Sequence, residues 1–222
     1  MPHPIRVFIS VFVVEIVVIC LCILAGKIHG DVLWLFKEDS FATWVSFIQL
    51  LSLSLLSSAI FTLRYRTTGR IAAHLIWALA AFGFVVLSLD EKLMWHERFD
   101  FFIHEFFEIE ETAVTDRIDD VIIGIYALIG MAAIYLFRRE IGQFVQVNLL
   151  LALGFVLLFT TVLLDILVNR YDIIPGLLGD GHFARLLHRG GEVLEEGIKL
   201  TTEGVFISAL YSFFYYSHIA RK

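Results

Sequence analysis

The feature that most constrains this chain is a series of apolar stretches, each close to the roughly 20 residues with which an α-helix crosses a bilayer. A backbone in lipid must satisfy its own hydrogen bonds, and continuous apolar runs without alternation favour helices over barrel strands. The sequence therefore predicts an all-α membrane helix bundle that forms a single domain over residues 1–222. The six predicted transmembrane helices lie near residues 5–26, 41–63, 71–89, 118–137, 145–168 and 191–216.

Composition agrees with a membrane protein and limits the partners of the chain. Of its 222 residues, 59% are hydrophobic, and the mean hydropathy is +0.81. Soluble domains contain roughly 45–50% apolar residues, so the lipid bilayer is the expected partner. The net charge of −6 argues against nucleic acid, which binds basic surfaces. Cys20 and Cys22 point to different sides of a helix, so we expect neither a disulfide between them nor a thiolate metal site.

Basic residues near the ends of the predicted helices indicate which side of the membrane faces the cytoplasm. With six helices, the short basic connections and both termini fall on one side. Basic residues on the other side are spread over longer loops that also carry acids. The higher basic density predicts that both termini are cytoplasmic, in what we expect to be a bacterial inner membrane. The basic residues on the predicted cytoplasmic side are Arg6, Arg64, Arg66, Arg70, Arg138, Arg139, Arg221 and Lys222.

Acidic residues are concentrated in two regions of the sequence. Of 23 Asp and Glu residues, eleven lie between Asp90 and Asp120. In a six-helix topology, this region and the start of the last helix reach the same non-cytoplasmic face. The sequence therefore predicts that the two regions meet in space. The acids in the first half of the last helix are Glu192, Glu195, Glu196 and Glu203.

The segment that follows the predicted third helix has an amphipathic pattern. If it is helical, its acids share one side, because steps of three, four and seven residues return to nearly the same direction. Phenylalanines make up much of the remainder, so we expect this segment to lie along the membrane surface. The alternative is an acidic face that only contacts water. The acidic stripe consists of Asp90, Glu97, Asp100, His104, Glu108 and Glu111.

The predicted last helix places charged residues deep in the membrane. Glu203 lies about a dozen residues into this helix, about 17 Å along its axis and near the bilayer centre. Ionisable side chains at that depth are costly unless they are paired or line a wet cavity. We therefore predict a buried charge pair between Lys199 and Glu203, or a proton path that also includes Glu15. The alternative is that Lys199 pairs only along its own helix, with Glu195 or Glu196.

The same clusters suggest a metal site. Carboxylates and histidines without thiolates suit a divalent metal ion such as iron, zinc or manganese. The prediction of a metal site rests on a cluster of residues and not on a sequence motif. The sequence has no Glu-x-x-His pair and only incomplete His-Glu-x-x-His motifs. The predicted metal ligands are Asp90, Glu91, His96, Glu97, His104, Glu108, Glu192 and Glu196. The predicted catalytic acids or bases are Glu105, His182 and His188.

These features lead to one principal functional hypothesis and two alternatives. The principal hypothesis is a metal-dependent membrane enzyme that acts on a lipid or another membrane-soluble substrate, with its site at the non-cytoplasmic ends of predicted helices 3 to 6. The deep Glu15, Lys199 and Glu203 favour a proton or cation transporter instead. The small size of the chain and its many aromatic residues leave open a non-catalytic subunit of a larger membrane complex, or a homo-oligomer.

Overall fold

The computed structural model describes residues 1–37, 39–108, 118–168, 173–179 and 181–219, and of residues 118–120, 173 and 175 only the backbone. Within these ranges the chain forms helices joined by turns, without a strand. Two short 3-10 helices, Ala72–His74 and Val145–Val147, precede α3 and α7. In chain order, the α-helices are α1 (Pro4–His29), α2 (Phe41–Thr68), α3 (Leu75–Leu93), α4 (Trp95–Phe107), α5 (Ile118–Leu136), α6 (Arg138–Ile141), α7 (Asn148–Val168), α8 (Ile173–Leu178) and α9 (His182–Ile219).

Four helices in the described part of the chain are long and apolar enough to cross a membrane. They are Pro4–His29, Phe41–Thr68, Ala72–Leu93 and Val145–Val168, and α5 contributes a shorter apolar helix, Val121–Leu136. The predicted helix bundle is therefore confirmed, and these spans are consistent with integration into a membrane. The longest helix is α9, with 38 residues, but its first half carries many charged side chains.

Capping residues and glycines explain where the first two helices begin and end. α1 begins after His3, whose ring nitrogen accepts a hydrogen bond of 3.4 Å from the N–H of Ile5. It ends at Gly30, which has a φ of 90°, and α2 ends at Gly69, with a φ of 69°. Glycine adopts this left-handed conformation without the steric penalty of a Cβ atom, so both helices stop where the sequence provides it.

The last helix begins earlier than the sequence predicts. α9 starts at His182, ahead of the predicted start at residue 191, so that Gly190 and Gly191 lie inside the helix. A Cβ atom at Gly191 would lie only 2.5 Å from Cγ1 of Val168. Gly191 therefore allows the end of α7 to approach α9 closely, as small residues do at membrane helix interfaces.

Helix α9 is the centre of the bundle, because α1, α2 and α7 all pack along it. α2 also packs along α3, and the main apolar core lies between these helices and α9, where Leu53, Ile60 and Phe213 are almost fully buried. α5 contacts α4 and α7 and packs less closely against α3. The bundle is therefore tight around α2 and α9 and more open beside α5.

A single residue, Met94, separates α3 from α4. Its φ of 51° lies in the left-handed region and ends α3, so Asp90 and Glu91 occupy the last turn of that helix. The predicted amphipathic segment forms α4, a separate helix of 13 residues in which His104 is buried. The phenylalanines that α4 exposes are Phe99, Phe101, Phe102, Phe106 and Phe107.

Candidate functional site

A cavity of about 1270 Å³ lies between α2, α3, α5, α7 and α9, and we call it the central cavity. Apolar and aromatic side chains, including Leu53, Trp77 and Phe213, line much of it. The last turn of α3, the start of α4 and the first half of α9 contribute ionisable side chains, which define its acidic end. The ionisable residues that line the cavity are Lys37, Asp39, Asp90, Glu91, Lys92, His96, Glu97, Asp100, Asp165, Glu192, Glu195, Glu196, Lys199 and Glu203.

Lys199 joins α9 to α3 at the acidic end. Its Nζ atom lies 2.9 Å from Oε1 of Glu91 and 3.5 Å from Oε1 of Glu196, so the two acidic regions of the sequence meet here. Glu203 has a different partner, because Oγ of Ser46 donates a hydrogen bond of 2.7 Å to its Oε1 atom. The predicted ion pair between Lys199 and Glu203 is not formed in the described part of the chain, since two nearer carboxylates hold the ammonium group.

Glu15, the third residue of the predicted proton path, is buried between α1, α2 and α9. Nε2 of Gln49 donates a hydrogen bond to Oε1 of Glu15. A Cβ atom at Gly204 would lie 3.0 Å from Cγ of Glu15, so this side chain packs directly against the backbone of α9. Glu203 precedes Gly204 in the sequence and is also buried. The two carboxyl groups therefore lie in one helix interface, in which each accepts a hydrogen bond from a side chain of α2, and we call these four residues the interface cluster.

Asp90 and His96 form a hydrogen-bonded pair at the break between α3 and α4. Oδ1 of Asp90 accepts a hydrogen bond of 2.9 Å from the backbone N–H of His96, and Oδ2 lies 3.1 Å from its ring atom Nδ1. Asp90 therefore caps the start of α4 and also orients the imidazole. Oε1 of Glu97 lies 3.7 Å from Nε2 on the other side of the ring.

Two other histidines lie beside carboxylates of their own helices. Nδ1 of His104 lies 3.1 Å from the carbonyl oxygen of Asp100 and 3.3 Å from its Oδ1 atom. Nε2 of His104 is buried without a hydrogen-bond partner among the residues that the structure describes. Nε2 of His188 lies 3.4 Å from Oε1 of Glu192, one turn along α9. Among the described residues, each of these two histidines therefore lies beside an acid one turn away on its own helix.

The predicted metal ligands do not converge on one point. Within the described ranges, no group of three or more His, Cys, Asp or Glu side chains is arranged to hold a metal ion. His104 is buried outside the lining of the central cavity, and Glu108 is exposed at the end of α4. The divalent metal remains a prediction that the arrangement of these side chains does not support. The predicted ligands that line the cavity are Asp90, Glu91, His96, Glu97, Glu192 and Glu196.

The predicted catalytic residues also lie apart from the central cavity. Glu105 is exposed on α4, and His182 is exposed at the start of α9. His188 is partly buried beside Glu192 and does not line the cavity. Glu111, the last member of the predicted acidic stripe, lies outside the described residues. Among the candidates from the sequence, His96 is the histidine that lines the cavity.

A second polar cluster, which the sequence did not predict, lies at the opposite end of the bundle. Glu140 of α6 is buried, and its two carboxylate oxygens bind Arg64 of α2, 2.8 Å from Nε and 2.9 Å from Nη2. Nδ1 of His74 lies 2.9 Å from Oε1 of Glu140, and Nε1 of Trp77 donates to the same oxygen at 3.1 Å. We call these four residues the Glu140 network. The ring of Trp77 packs against Phe213 with centroids 4.8 Å apart, and both rings line the central cavity.

The electrostatics of the Glu140 network are those of a structural ion pair. Burial alone would raise the pKa of Glu140, but hydrogen bonds from Arg64, Trp77 and His74, with the charge of Arg64, outweigh burial and lower the pKa. Glu140 is therefore ionised at neutral pH. In the sequence, Glu140 directly follows Arg138-Arg139, two basic residues on which the orientation prediction also rests.

A family model described as a domain of unknown function, DUF8692, matches residues 8–214. The match runs from α1 into the last part of α9, so it includes the central cavity and the Glu140 network. No curated protein and no solved structure matches the chain.

Proposed function

The chain belongs to the DUF8692 family of domains of unknown function, and we propose that it is a membrane enzyme that acts on a lipid or another membrane-soluble amphiphile. The reaction takes place at the acidic end of the central cavity. The observation that carries this proposal is the cavity of about 1270 Å³, which combines apolar walls with an ionisable end.

The size and lining of the cavity support a ligand of lipid size. Pockets for small molecules occupy roughly 300–1,000 Å³, and the central cavity, at about 1270 Å³, is larger. Its walls include apolar side chains that are only partly buried, among them Leu87, Ile123 and Leu158, and these can contact an apolar chain. The polar head of the same molecule then lies at the acidic end, next to the ionisable groups of α3 and α9.

His96 is the candidate general acid or base. Imidazole gains and loses protons near neutral pH, and it acts best when a second group fixes its orientation. Asp90 provides this orientation through hydrogen bonds to the backbone and the ring of His96. Lys199, held 2.9 Å from Glu91, supplies a cation at the same end that can bind an oxygen of the head group.

A proton or cation transporter is the second candidate function. The observation that favours it is the pair of buried carboxyl groups of Glu15 and Glu203, each with one oxygen that lacks a hydrogen-bond partner among the described residues. The cytoplasmic location of both termini, the bacterial inner membrane and assembly into a larger complex or homo-oligomer stay predictions from the sequence.

Lipid turnover by purified protein tests the enzyme proposal. The wild type and the His96→Asn and Asp90→Asn variants are incubated with vesicles made from a total membrane lipid extract, and lipid species are followed by mass spectrometry. We expect the wild type to convert one species and His96→Asn to be at least about 100-fold slower, because general acid–base catalysis contributes roughly 10²–10⁴-fold. The control is His29→Asn, since His29 is exposed and stacks on Trp34 outside the cavity lining.

Two results would contradict the proposal. Turnover by His96→Asn at the wild-type rate would exclude His96 as the acid or base. An unchanged lipid composition, together with proton or cation flux into proteoliposomes, would support the transporter instead. Elemental analysis of the same preparations tests the predicted divalent metal independently of either function.

A further inference from the structure

Two carboxyl groups are buried in the interface of α1, α2 and α9, apart from the pair formed by Asp90 and His96. Glu15 is 3% exposed and Glu203 is 8% exposed. A Cβ atom at Gly204 would lie 3.1 Å from Oε1 of Glu15, so this carboxyl group touches α9 at the position next to Glu203. The interface therefore buries two acidic side chains, each with its own hydrogen-bond donor on α2.

The hydrogen bonds of this cluster leave acceptors without donors. Ser46 donates to Oε1 of Glu203, and the amide nitrogen of Gln49 donates to Oε1 of Glu15. Oε2 of Glu15, Oε2 of Glu203 and Oε1 of Gln49 are buried and have no hydrogen-bond partner among the described residues. All three oxygens are hydrogen-bond acceptors when the carboxyl groups are ionised. Burial would then remove the hydrogen bonds that water donates to them, and no protein donor would replace these bonds.

The charged groups around the cluster do not neutralise it. Lys199 lies one turn from Glu203 on α9, but its ammonium group is held by Glu91 of α3 and Glu196 of α9. Helix α7 adds another acid to the cavity lining, Asp165, and the groups that α2 places against the cluster are neutral. A buried carboxylate without a cationic partner is strongly unfavourable, and it usually takes up a proton instead.

We propose that Glu15 and Glu203 each bind a proton in this interface and that the proton on Glu203 exchanges with the central cavity, which Glu203 lines. A proton on Oε2 turns Glu15 from an acceptor into a donor toward the amide oxygen of Gln49. The acid and the amide then donate to each other, which satisfies both orphan oxygens. This site is independent of the proposed turnover at His96.

Infrared spectroscopy of the purified protein in detergent, in sodium-free buffer, tests this site because a protonated carboxyl group has its own carbonyl band. We expect Glu15→Gln and Glu203→Gln each to remove part of this band at neutral pH. Asp31→Asn is the control, since the carboxylate of Asp31 pairs with Lys37 and should contribute nothing to this band. If the proton on Glu203 exchanges with the central cavity, only the Glu203 part of the band should change when an amphiphile is added.

A second variant keeps the test valid if Glu203→Gln does not fold. Ser46→Ala removes the hydroxyl that donates to Glu203, so it should shift the Glu203 part of the band and leave the Glu15 part in place. A carbonyl band that none of these variants alters would show that both groups are ionised and would overturn the proposal. Stabilisation of the wild type by sodium, absent in Glu203→Gln, would identify a sodium site and would also overturn it.

Discussion

At the scale of single residues, buried acids of one type have different roles because their partners differ. Glu140 is held by the two nitrogen atoms of Arg64, whereas Glu203 accepts one hydrogen bond from a neutral hydroxyl group. The first acid is therefore fixed in its charged form and connects helices. The second can gain and lose a proton beside a cavity. Burial alone does not separate these roles.

Replacement of Glu140 by Gln is expected to destabilise the protein by about 3–5 kcal/mol, because it leaves the partly buried Arg64 without its counter-charge. The double variant Arg64→Met with Glu140→Gln should lose less stability than the sum of the losses in the two single variants. Unfolding in detergent, followed by tryptophan fluorescence, measures these differences. The control is Asp31→Asn, which removes an exposed pair with Lys37 and should leave stability nearly unchanged. Additive losses would show that Arg64 and Glu140 are not coupled.

The same ion pair predicts a pH dependence of stability. Since the pKa of Glu140 is lower in the folded protein than in the unfolded chain, its carboxylate stabilises the fold at neutral pH. This contribution is lost as the pH falls through the folded pKa. We expect wild-type stability to decrease in acid more steeply than that of Glu140→Gln, which cannot titrate at this position. If the stability of the wild type and that of Glu140→Gln fell equally steeply in acid, this would contradict the assignment of Glu140 as an ionised, stabilising carboxylate.

The sequence predicted which charged residues lie unusually deep in the bundle, but it did not predict which residues they bind. Glu203 was identified by its depth in a helix, yet its hydrogen-bond donor, Ser46, is 157 positions away in the sequence. Lys199 has several acids within reach along α9 and binds Glu91 of α3 as well. Which partner each charged residue binds depends on how its helix is rotated about its axis, and hydropathy does not contain that information.

At the scale of helices, the approach of α7 to α9 depends on Gly154. An added Cβ atom at this position would lie 2.7 Å from Cε1 of Phe206. The Phe206 ring also packs edge-on against Phe155, with centroids 5.3 Å apart, which limits its movement. The interface therefore has no space for a methyl group here.

We expect Gly154→Ala to destabilise the protein by about 1–3 kcal/mol, the usual range for overpacking. Gly124→Ala is the matched control, because a Cβ atom at Gly124 of α5 meets nothing within 4 Å. In that control, the free energy of unfolding should stay unchanged or rise by up to about 1 kcal/mol, since alanine favours helix formation. Thermal unfolding in detergent compares the two. An equal midpoint for both variants would show that α7 can move away from α9 at little cost.

Apolar stretches were sufficient to predict most of the helices, but not where α9 begins or where α3 ends. The charged residues from His182 onward lower the apolarity of α9, although its backbone remains helical. Met94 ends α3 with a left-handed φ, although methionine is not a typical helix terminator. The side chain of Asp90 stabilises this break by capping α4, and a contact of that kind cannot be read from hydropathy.

At the scale of the whole molecule, the central cavity should decide what the protein binds. Gly83 of α3 lines this cavity, and a Cβ atom there meets nothing within 4 Å. We expect Gly83→Phe to fold normally and to fill part of the cavity, so that less amphiphile purifies with the protein. Gly124→Phe is the control, because Gly124 is equally open but does not line the cavity. Native mass spectrometry of bound lipid would contradict the cavity as the binding site if both variants retained wild-type amounts.

The continuity of α9 has a mechanical consequence. Its 38 residues span about 57 Å, nearly twice the roughly 30 Å of a hydrocarbon core. Lys199 and Phe213 lie on this one continuous helix, about 21 Å apart, and Gly204, which packs against α1, lies between them. A displacement of α9 along its axis at Lys199 is therefore also a displacement at Phe213, whose ring packs against Trp77 of the Glu140 network.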